Sequence, residues 1–365
     1  MPEYEDRVSP RVDVLLVTSG LGPRLGGIGC VSQSVLDTLR DNWRAEVVTA
    51  SPDRSRIARR INLWASMLAS RTHRPRLVLY DHIGLSRIHP WVPWPHGTRY
   101  AILLYGFEVW RALPPSQRRI IERASMLLAI SQTAVDQARR HNPWLPRVRV
   151  MHLGVAQPQG PRAVSPAAPL LVLVSRVDAN DPSKSHEEIL NAWPTIRAAV
   201  PSARFVAIGG GSDLERFRRR VRVERLAGVE FLGFLTDAER DTWLRQATAA
   251  FALGREEGFG LANVEAAAMG IPLIGLPNTV LDELFPKNAG VRFVRSLRPE
   301  DIAETAIELL RDPKKAAELG ERGRAHALDH YTQEHFRDRF LSNIGLVLQQ
   351  QPQRLEQQPK RGVTA

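Results

Sequence analysis

Short apolar runs alternate with amphipathic stretches along most of the chain. Residues 12–17 (VDVLLV) form the first run, and such a run predicts a buried strand. The same pattern predicts strands at 45–49, 77–80, 101–104, 126–130 and 148–152, and again at 170–174, 204–208, 229–232, 249–253, 272–275 and 290–293. Apolar positions at helical spacing predict helices at 30–39, 185–199, 212–225, 237–247, 261–269, 299–310, 313–326 and 333–348.

This alternation predicts the α/β class, with doubly wound parallel sheets. The 365 residues are enough for two such domains. A stretch rich in proline and alanine, 157–169, interrupts the alternation and indicates a linker. We therefore predict an N-terminal domain over 1–160 and a C-terminal domain over 161–332. The polar tail, 349–365, has little to bury and is predicted to be disordered.

Charge is distributed unevenly over the two halves. Residues 1–160 contain 22 Arg, no Lys and 12 acidic residues, a balance of +10, whereas the whole chain carries +11. A basic half attracts an anionic partner, such as lipid headgroups, a pyrophosphate-linked acceptor or nucleic acid, although charge can also serve solubility alone. No apolar run has the length of a membrane span, no signal-peptide core is seen, and Cys30 is the single cysteine. These features predict a cytoplasmic protein without disulfides.

Residues 254–272 (GREEGFGLANVEAAAMGIP) have the composition of a phosphate-binding turn. Gly258 and Gly260 lie between a predicted strand and a predicted helix. Glycines let backbone N–H groups approach a ligand, and a helix N-terminus adds donors and partial positive charge that suit a diphosphate. Glu257 and Glu265 are two separate carboxylates that can accept hydrogen bonds from hydroxyls along an extended ligand. The alternative is an ordinary packed helix with surface glutamates.

This segment resembles the E-x7-E signature of the retaining glycosyltransferases of the GT4 family (glycosyl transferases group 1). That family has the GT-B fold, in which two doubly wound Rossmann-like domains face a cleft. The spacing of the glutamates, the glycines and the following A-x-x-x-G-x-P all agree. The resemblance implies that Glu257 contacts the donor sugar and Glu265 binds the ribose hydroxyls. It also implies that the backbone around Phe259, Gly260 and Leu261 meets the sugar and phosphate.

A second cluster follows the strand predicted at 170–174. Arg176 and Lys184 lie in one loop region, where the family places an arginine and a lysine on the donor diphosphate. An arginine can bind phosphate through two parallel N–H bonds, and a lysine acts as a point charge. The usual Lys-Gly of the family is Lys-Ser here. Without the resemblance, these two cations would be explained as surface charges.

Three further loops resemble parts of the family's donor site. Gly209 follows one predicted strand, and Phe234 and Leu235 follow the next at the position of the base-binding turn. In the first half, Gly26 and Gly27 resemble the N-terminal glycine loop that approaches the donor phosphate and sugar. A turn that simply begins a helix is the alternative explanation for these two glycines.

Residues 105–110 (YGFEVW) resemble the family element H-G-x-E-x-W. Tyr105 stands at the position of the His, which in many relatives points at the donor sugar, and Glu108 at that of the Glu. A tyrosine can still donate a hydrogen bond, but it is not a general base near neutral pH. His82, after the strand predicted at 77–80, is a further candidate to contact substrate, and a packed loop histidine is its alternative explanation.

No spacing of Cys, His, Asp or Glu residues indicates a metal site, and neither a Walker A motif nor a complete dinucleotide-binding glycine motif occurs. We therefore expect no cofactor and no metal. Neutralisation of the leaving diphosphate is then expected from Arg176, Lys184 and the helix N-terminus.

Residues 54–74 combine an apolar helical stripe with several arginines. The stripe consists of Ile57, Ile61, Trp64 and Leu68. A basic amphipathic helix of this kind is typical of docking to an anionic membrane. An ordinary helix that turns its stripe to the core and a basic face to solvent is the alternative.

The resemblance implies a retaining glycosyltransferase, which we expect to need no metal and to act in cell-surface polysaccharide biosynthesis. The resemblance implies that 161–332 binds a nucleotide-diphosphate sugar, that 1–160 binds a glycan or lipid-linked acceptor, and that the helix at 333–348 crosses back to the N-terminal domain. A catalytically impaired nucleotide-sugar or glycan-binding protein of the same fold is the rival, supported by Tyr105. A nucleic-acid binder is suggested by charge alone and lacks any recognised module, so no nucleic-acid partner is expected.

Overall fold

The structure, a computed structural model, describes residues 11–22, 26–50, 55–158, 169–286 and 289–349. Strands and helices alternate in the first half as β1 (Val14–Thr18), α1 (Gly26–Asn42), β2 (Ala45–Thr49), α2 (Arg56–Ser70), β3 (Leu77–Tyr80), α3 (Ile83–Ser86), β4 (Arg99–Leu104), α4 (Pro115–Glu122), β5 (Met126–Ala129), α5 (Gln132–His141) and β6 (Arg149–Val150). The second half continues with β7 (Leu170–Val174), α6 (His186–Ala199), β8 (Arg204–Ile208), α7 (Leu214–Val223), β9 (Val229–Gly233), α8 (Asp237–Gln246), β10 (Ala249–Ala252), α9 (Leu261–Ala268), β11 (Leu273–Gly275), α10 (Val280–Leu284), β12 (Val291–Phe293), α11 (Pro299–Arg311), α12 (Pro313–His330) and α13 (Gln333–Gln349).

The strands form two six-stranded sheets, ordered β2-β1-β3-β4-β5-β6 and β12-β11-β10-β7-β8-β9. The pairings are parallel, for example β1 with β2 and β3, and β7 with β8. The predicted α/β class with parallel sheets is confirmed. In the second sheet the strand order reverses between β7 and β10. Ligands of open parallel sheets bind beyond the carboxyl ends of the strands at such a reversal, so the loops after β7 and β10 are where a site is expected.

Contacts divide the chain into two compact units. The first unit comprises residues up to Leu103, Ser116–Leu127 and the chain from Phe340, and the second comprises Leu104–Pro115 and Leu128–Arg339. Within the first unit, the last turn of α13 is held by two arginines. Arg76 Nη2 donates to the Leu348 carbonyl over 2.7 Å, and Arg99 donates to the Val347 carbonyl.

The predicted domain boundaries at residues 160 and 332 stay predictions. The predicted linker lies largely outside the described residues, and so does the predicted tail beyond residue 349. Most predicted strands and helices match the observed elements to within a few residues, although β6 is only two residues long. Helices α3, α4, α5 and α10 were not predicted. Helices α3 and α10 are only four and five residues long, and α4 and α5 bury three residues each, so few apolar positions mark these helices in the sequence.

The core of the second sheet is aromatic where its helices cover it. Trp193 of α6 is fully buried and lies 6.0 Å, between ring centroids, from Phe205 of β8. Phe205 in turn meets Phe251 of β10 edge to face at 5.7 Å. The indole N–H of Trp193 donates to the Ala227 carbonyl over 2.9 Å, so its burial leaves no donor unpaired. This core fixes β7, β8 and β10 relative to one another.

Gly270 ends helix α9. It adopts a φ of +78°, a left-handed conformation that glycine takes without steric cost. The amide of the next residue, Ile271, donates back to the Ala266 carbonyl over 3.1 Å and closes the helix. The G-x-P of the sequence is therefore a helix stop that leads directly into β11.

Candidate functional site

The turn that begins helix α9 is the centre of the site. Gly260 precedes the helix with a φ of +77°, which favours glycine at this position. Its carbonyl accepts from the amides of Asn263 (2.9 Å) and Val264 (3.1 Å). The first two helical amides, of Leu261 and Ala262, have no intrahelical acceptor available to them. The turn therefore presents N–H donors and the positive end of a helix dipole.

Lys184 and Glu257 form an ion pair beside this turn. Lys184 Nζ lies 2.7 Å from Glu257 Oε2, and the two side chains are 10% and 26% exposed. Lys184 ends a short 3₁₀ turn, Pro182–Lys184, in the loop after β7. That loop is joined to the one after β10, since Ser185 Oγ donates to the Leu253 carbonyl over 2.8 Å. Two of the predicted residues, separated by more than seventy positions, are thus in direct contact.

Arg176, in the same loop after β7, is much more exposed. Its side chain is 66% exposed, and Nη2 lies 3.1 Å from Asp181 Oδ2. It borders an open cleft of about 630 Å³ whose walls also include Phe107, Arg255 and Glu256. An exposed guanidinium held by one carboxylate can exchange that partner for a phosphate.

Glu265 lies on α9 opposite an arginine that the sequence did not point to. Arg240 Nη2, from α8, is 3.7 Å from Glu265 Oε2. Burial raises the pKa of Glu265, and the charge of Arg240 only partly opposes this effect. Arg240 also pairs with Asp237 (2.9 Å) and Asp241 (3.1 Å), which hold its guanidinium in place.

The loops after β8 and β9 lie next to each other. Gly209 has a φ of +142°, and a Cβ there would lie 1.8 Å from the Ser175 carbonyl oxygen, so only glycine fits. Phe234 is 70% exposed, and its Cβ lies 3.6 Å from the position of a Cβ on Gly210. Leu235 is half-buried. Phe234 is therefore an open aromatic face directly after the edge strand β9, a geometry that suits stacking on a base.

Tyr105 lies against the turn through its backbone carbonyl, and Glu108 pairs with the Tyr105 amide. The Tyr105 side chain is buried, and its amide donates to Glu108 Oε1 over 2.5 Å. A Cβ on Gly258 would lie 2.1 Å from the Tyr105 carbonyl oxygen. Phe259 is also buried, so any ligand contact of this residue is made by its backbone. The structure thus gives Glu108 a local partner within its own loop.

The remaining predicted residues belong to the first unit. Gly26 and Gly27 begin α1 and are exposed, and Gly26 has a φ of +69° with open space around it. His82 caps the short helix α3, because its Nδ1 accepts from the Gly84 amide over 2.8 Å. That hydrogen bond gives His82 a structural role of its own.

Helix α2 turns its predicted stripe outward. Leu63 and Met67 are the buried apolar residues of the helix, whereas Ile57 is 73% and Ile61 59% exposed. The Trp64 indole, 38% exposed, donates to the carbonyl of Trp91, a residue that is itself 75% exposed. The core-facing explanation is therefore wrong for three of the four stripe residues; only Leu68, which is half-buried, partly fits it.

Among the described residues, no group of three or more His, Cys, Asp and Glu side chains is arranged to hold a metal ion. None of the described helices combines the length and apolarity that a bilayer crossing requires.

The chain is similar in sequence to several known proteins. Residues 166–326 match the family described as glycosyl transferases group 1. The chain is 29% identical over 227 residues to a phosphatidyl-myo-inositol mannosyltransferase of Propionibacterium freudenreichii, covering 60% of this chain and 55% of the relative. It is also 29% identical over 277 residues to a GDP-mannose-dependent monoacylated alpha-(1-6)-phosphatidylinositol monomannoside mannosyltransferase of Corynebacterium glutamicum, covering 68% and 69%.

The fold has close counterparts among solved structures. Sucrose-phosphate synthase from Thermosynechococcus elongatus superimposes with a TM-score of 0.77 at 15% identity, over 92% of this chain and 99% of that one. The chain spans only about half the length of the first curated relative, at 55%. The chain therefore has the GT-B fold, and its residues 166–326 are similar to the glycosyl transferases group 1 family.

Proposed function

We propose that the protein is a retaining glycosyltransferase that moves a sugar from a nucleotide-diphosphate sugar to a lipid-linked or glycan acceptor. The observation that carries the proposal is the Lys184–Glu257 pair beside the glycine turn that begins α9. A cation, a carboxylate and a set of backbone donors meet there. These groups suit the two ends of a sugar diphosphate, with the diphosphate on the donors and the hydroxyls on the carboxylate.

In the proposed reaction, the oxygen of an acceptor hydroxyl forms a bond to the anomeric carbon of the donor sugar. The bond between that carbon and the diphosphate oxygen breaks at the same time. The hydroxyl proton passes to the leaving diphosphate, so no protein base is invoked. Lys184, Arg176 and the α9 N-terminus stabilise the negative charge that develops on the leaving group. Donors preorganised in this way are usually the largest contribution to such catalysis. Glu257 orients the sugar by accepting from its hydroxyls, and Glu265 accepts from the ribose.

We propose GDP-mannose as the first donor to test and phosphatidylinositol as the first acceptor. The support is that the two curated relatives are described as mannosyltransferases acting on phosphatidylinositol compounds, one of them GDP-mannose-dependent. A role in assembling cell-surface glycolipid or polysaccharide is part of the same proposal.

We further propose that the reaction needs no metal ion. The cations Arg176 and Lys184 would neutralise the diphosphate in place of a metal. Turnover is therefore expected to be the same in excess EDTA as in magnesium. A loss of activity in EDTA that magnesium restores would contradict this part of the proposal.

The first unit is proposed to dock on the cytoplasmic face of an anionic membrane through the exposed stripe of α2 and the neighbouring Trp91. Ile57, Ile61, Trp64 and Trp91 supply apolar surface, and Arg60 is exposed on the same helix. Amphipathic surfaces of this kind bind bilayers through buried apolar area and attraction to anionic headgroups. Co-sedimentation with phosphatidylserine vesicles is expected, and it should fall sharply in Ile57→Ser/Trp91→Ser. Equal binding of that variant would contradict the proposed surface.

The transferase proposal is tested by incubating the protein with GDP-mannose, UDP-glucose or UDP-N-acetylglucosamine and vesicles that contain phosphatidylinositol. Free nucleotide and glycosylated lipid, detected by mass spectrometry, are expected with one of the donors. Nucleotide binding without any release would instead favour a catalytically impaired binding protein. Absence of both would refute the proposed donor site.

A further inference from the structure

Glu283, on helix α10, makes a dense set of contacts that the reaction above does not use. Its Oε1 accepts from the Gln132 amide and contacts His152 Nε2, both at 2.7 Å. Its Oε2 accepts from the amide and the hydroxyl of Thr133, again at 2.7 Å each. All of these residues belong to the second unit. One carboxylate therefore binds two amides at the N-terminus of α5, a hydroxyl and an imidazole.

Burial alone would raise the pKa of Glu283, but the hydrogen bonds from His152, Thr133 and Gln132 lower it below the usual value. The ionised form is thus the one that this environment stabilises. Its negative charge at a helix N-terminus is favourable as well. These contacts fix the start of α5 firmly against α10.

Ser131 connects this helix start to the candidate donor site. Its hydroxyl oxygen accepts from the Ala134 amide over 3.0 Å, which caps α5. The same hydroxyl donates to the Gly258 carbonyl over 2.6 Å. The amides of residues 132, 133 and 134 are therefore all paired, and the Ser131 hydroxyl joins the start of α5 to the glycine turn.

A second path leads from Glu283 to the same turn. The ring of His152 lies 6.1 Å from that of Phe259 and 5.7 Å from that of Tyr331, measured between centroids. Phe259 and Tyr331 meet edge to face at 5.8 Å. Phe259 stands between the two glycines of the turn and is almost fully buried, so its anchor determines where the backbone of the turn lies.

We propose that Glu283 and Ser131 are positioning residues for the donor-binding turn, Gly258–Gly260. Glu283 fixes the start of α5 and the ring of His152. Ser131 then holds the Gly258 carbonyl, so that the following amides point toward the diphosphate. The inference rests on the proposed function, because it assigns these residues to the binding of a nucleotide diphosphate. Displacement of catalytic or binding groups by about 1 Å can cost on the order of 100-fold in rate, so a small shift of the turn is enough to matter.

The test compares Ser131→Ala and Ser131→Thr, with Glu283→Gln as a second perturbation. Affinity for GDP and UDP is measured by isothermal titration calorimetry, and Tm by calorimetry. Ser131→Ala and Glu283→Gln are expected to raise the Kd of the preferred nucleotide about 10-fold or more. Ser131→Thr keeps both the cap and the donor and is expected to bind like wild type. The double variant Ser131→Ala/Glu283→Gln should lose less than the product of the single losses, because both act through one turn.

Two controls separate positioning from simple destabilisation. Ser55→Ala removes the side-chain cap of α2, where Ser55 Oγ accepts from the Ala58 amide, and Glu308→Gln removes a carboxylate that pairs with Lys315 and Arg292. Both should leave the nucleotide Kd unchanged at temperatures well below Tm. Unchanged Kd in Ser131→Ala and in Glu283→Gln would overturn the inference while leaving the proposed function intact. If Glu283→Gln does not fold, the alanine and threonine variants of Ser131 decide the question alone. Wild-type protein that binds neither nucleotide would refute the proposed function and this inference with it.

Discussion

Replacing Lys184 with methionine removes one charge and leaves most of the side-chain volume. In the structure, Nζ lies 2.7 Å from Glu257 Oε2 in a place where the lysine side chain is only 10% exposed. The variant therefore removes a cation from the proposed diphosphate site. It also leaves the Glu257 carboxylate without its partner, so that the same site becomes more negative. Both changes oppose the binding of a diphosphate.

The magnitude follows from the kind of bond that is lost. A hydrogen bond to a charged group contributes about 1.5–3 kcal/mol, and 1.4 kcal/mol corresponds to a factor of ten in affinity. Lys184→Met is therefore expected to raise the Kd of the preferred nucleoside diphosphate roughly 10- to 100-fold. The unpaired carboxylate of Glu257 should in addition lower the free energy of unfolding by about 1–3 kcal/mol, because its side chain is largely buried.

Isothermal titration of GDP and UDP measures the first effect, and thermal unfolding measures the second. Lys315→Met is the matched control, since Lys315 pairs with Glu308 at the surface and is 54% exposed. Exposed pairs contribute at most about 1 kcal/mol, so this control should leave both quantities close to wild type. The double variant Lys184→Met/Glu257→Gln should recover stability but not affinity. Wild-type affinity in Lys184→Met would refute the role given to this lysine.

Three further predictions follow from individual sites. In Gly258→Ala the new Cβ would lie 2.1 Å from the Tyr105 carbonyl oxygen, so turnover should fall at least about 10-fold and Tm should drop. The control is Gly345→Ala, which has open space around the new Cβ and should change neither turnover nor Tm. Burial raises the pKa of Glu265, so this residue becomes protonated at a higher pH than an ordinary glutamate does. Nucleotide affinity, measured by titration calorimetry, should therefore begin to weaken at that higher pH as the solution is acidified. The dependence should be absent in Glu265→Gln. Burial lowers the pKa of His186 from 6.5 to about 4, so between pH 6.5 and pH 4 the unfolded chain binds more protons than the folded one. The free energy of unfolding should therefore decline from pH 6.5 towards pH 4, by up to about 3 kcal/mol. Calorimetric Tm against pH should show a shallower decline in His186→Gln, and an identical slope would contradict the assignment.

The fold could be predicted from the sequence because its strands are continuous apolar runs. Strands β2, β3, β7 and β8 match their predicted ranges to the residue. Helix α5 was missed because its apolar positions are few and its start depends on distant groups. Ser131 caps it locally, but the carboxylate that pairs its first amides comes from Glu283, about 150 positions further along the chain. No local pattern encodes such a partner.

The candidate site could be predicted only where its residues belong to a recognisable sequence motif. The sequence predicted that Lys184 and Glu257 belong to the donor site, but not that they pair with each other. Arg240 was missed because it lies on a separate helix among other charges, where nothing in the spacing connects it to Glu265. The sequence did not decide whether the apolar stripe of α2 faces the core or the solvent, because helical periodicity does not tell which face the core covers.

The most direct test of the central claim compares two effects of Glu257→Ala: the loss of turnover and the change in nucleotide affinity. Wild type and variant are compared on the nucleotide sugar that wild type uses, and the Kd of the nucleoside diphosphate is measured in the same preparations. The proposed role, in which this carboxylate orients the transferred sugar, predicts a fall in kcat of at least about 100-fold, the scale of losing one preorganised polar contact in an active site. Nucleotide affinity should change by less than about 10-fold, because Lys184, Arg176 and the α9 turn remain. Retained turnover in Glu257→Ala would contradict the assignment of this site to glycosyl transfer.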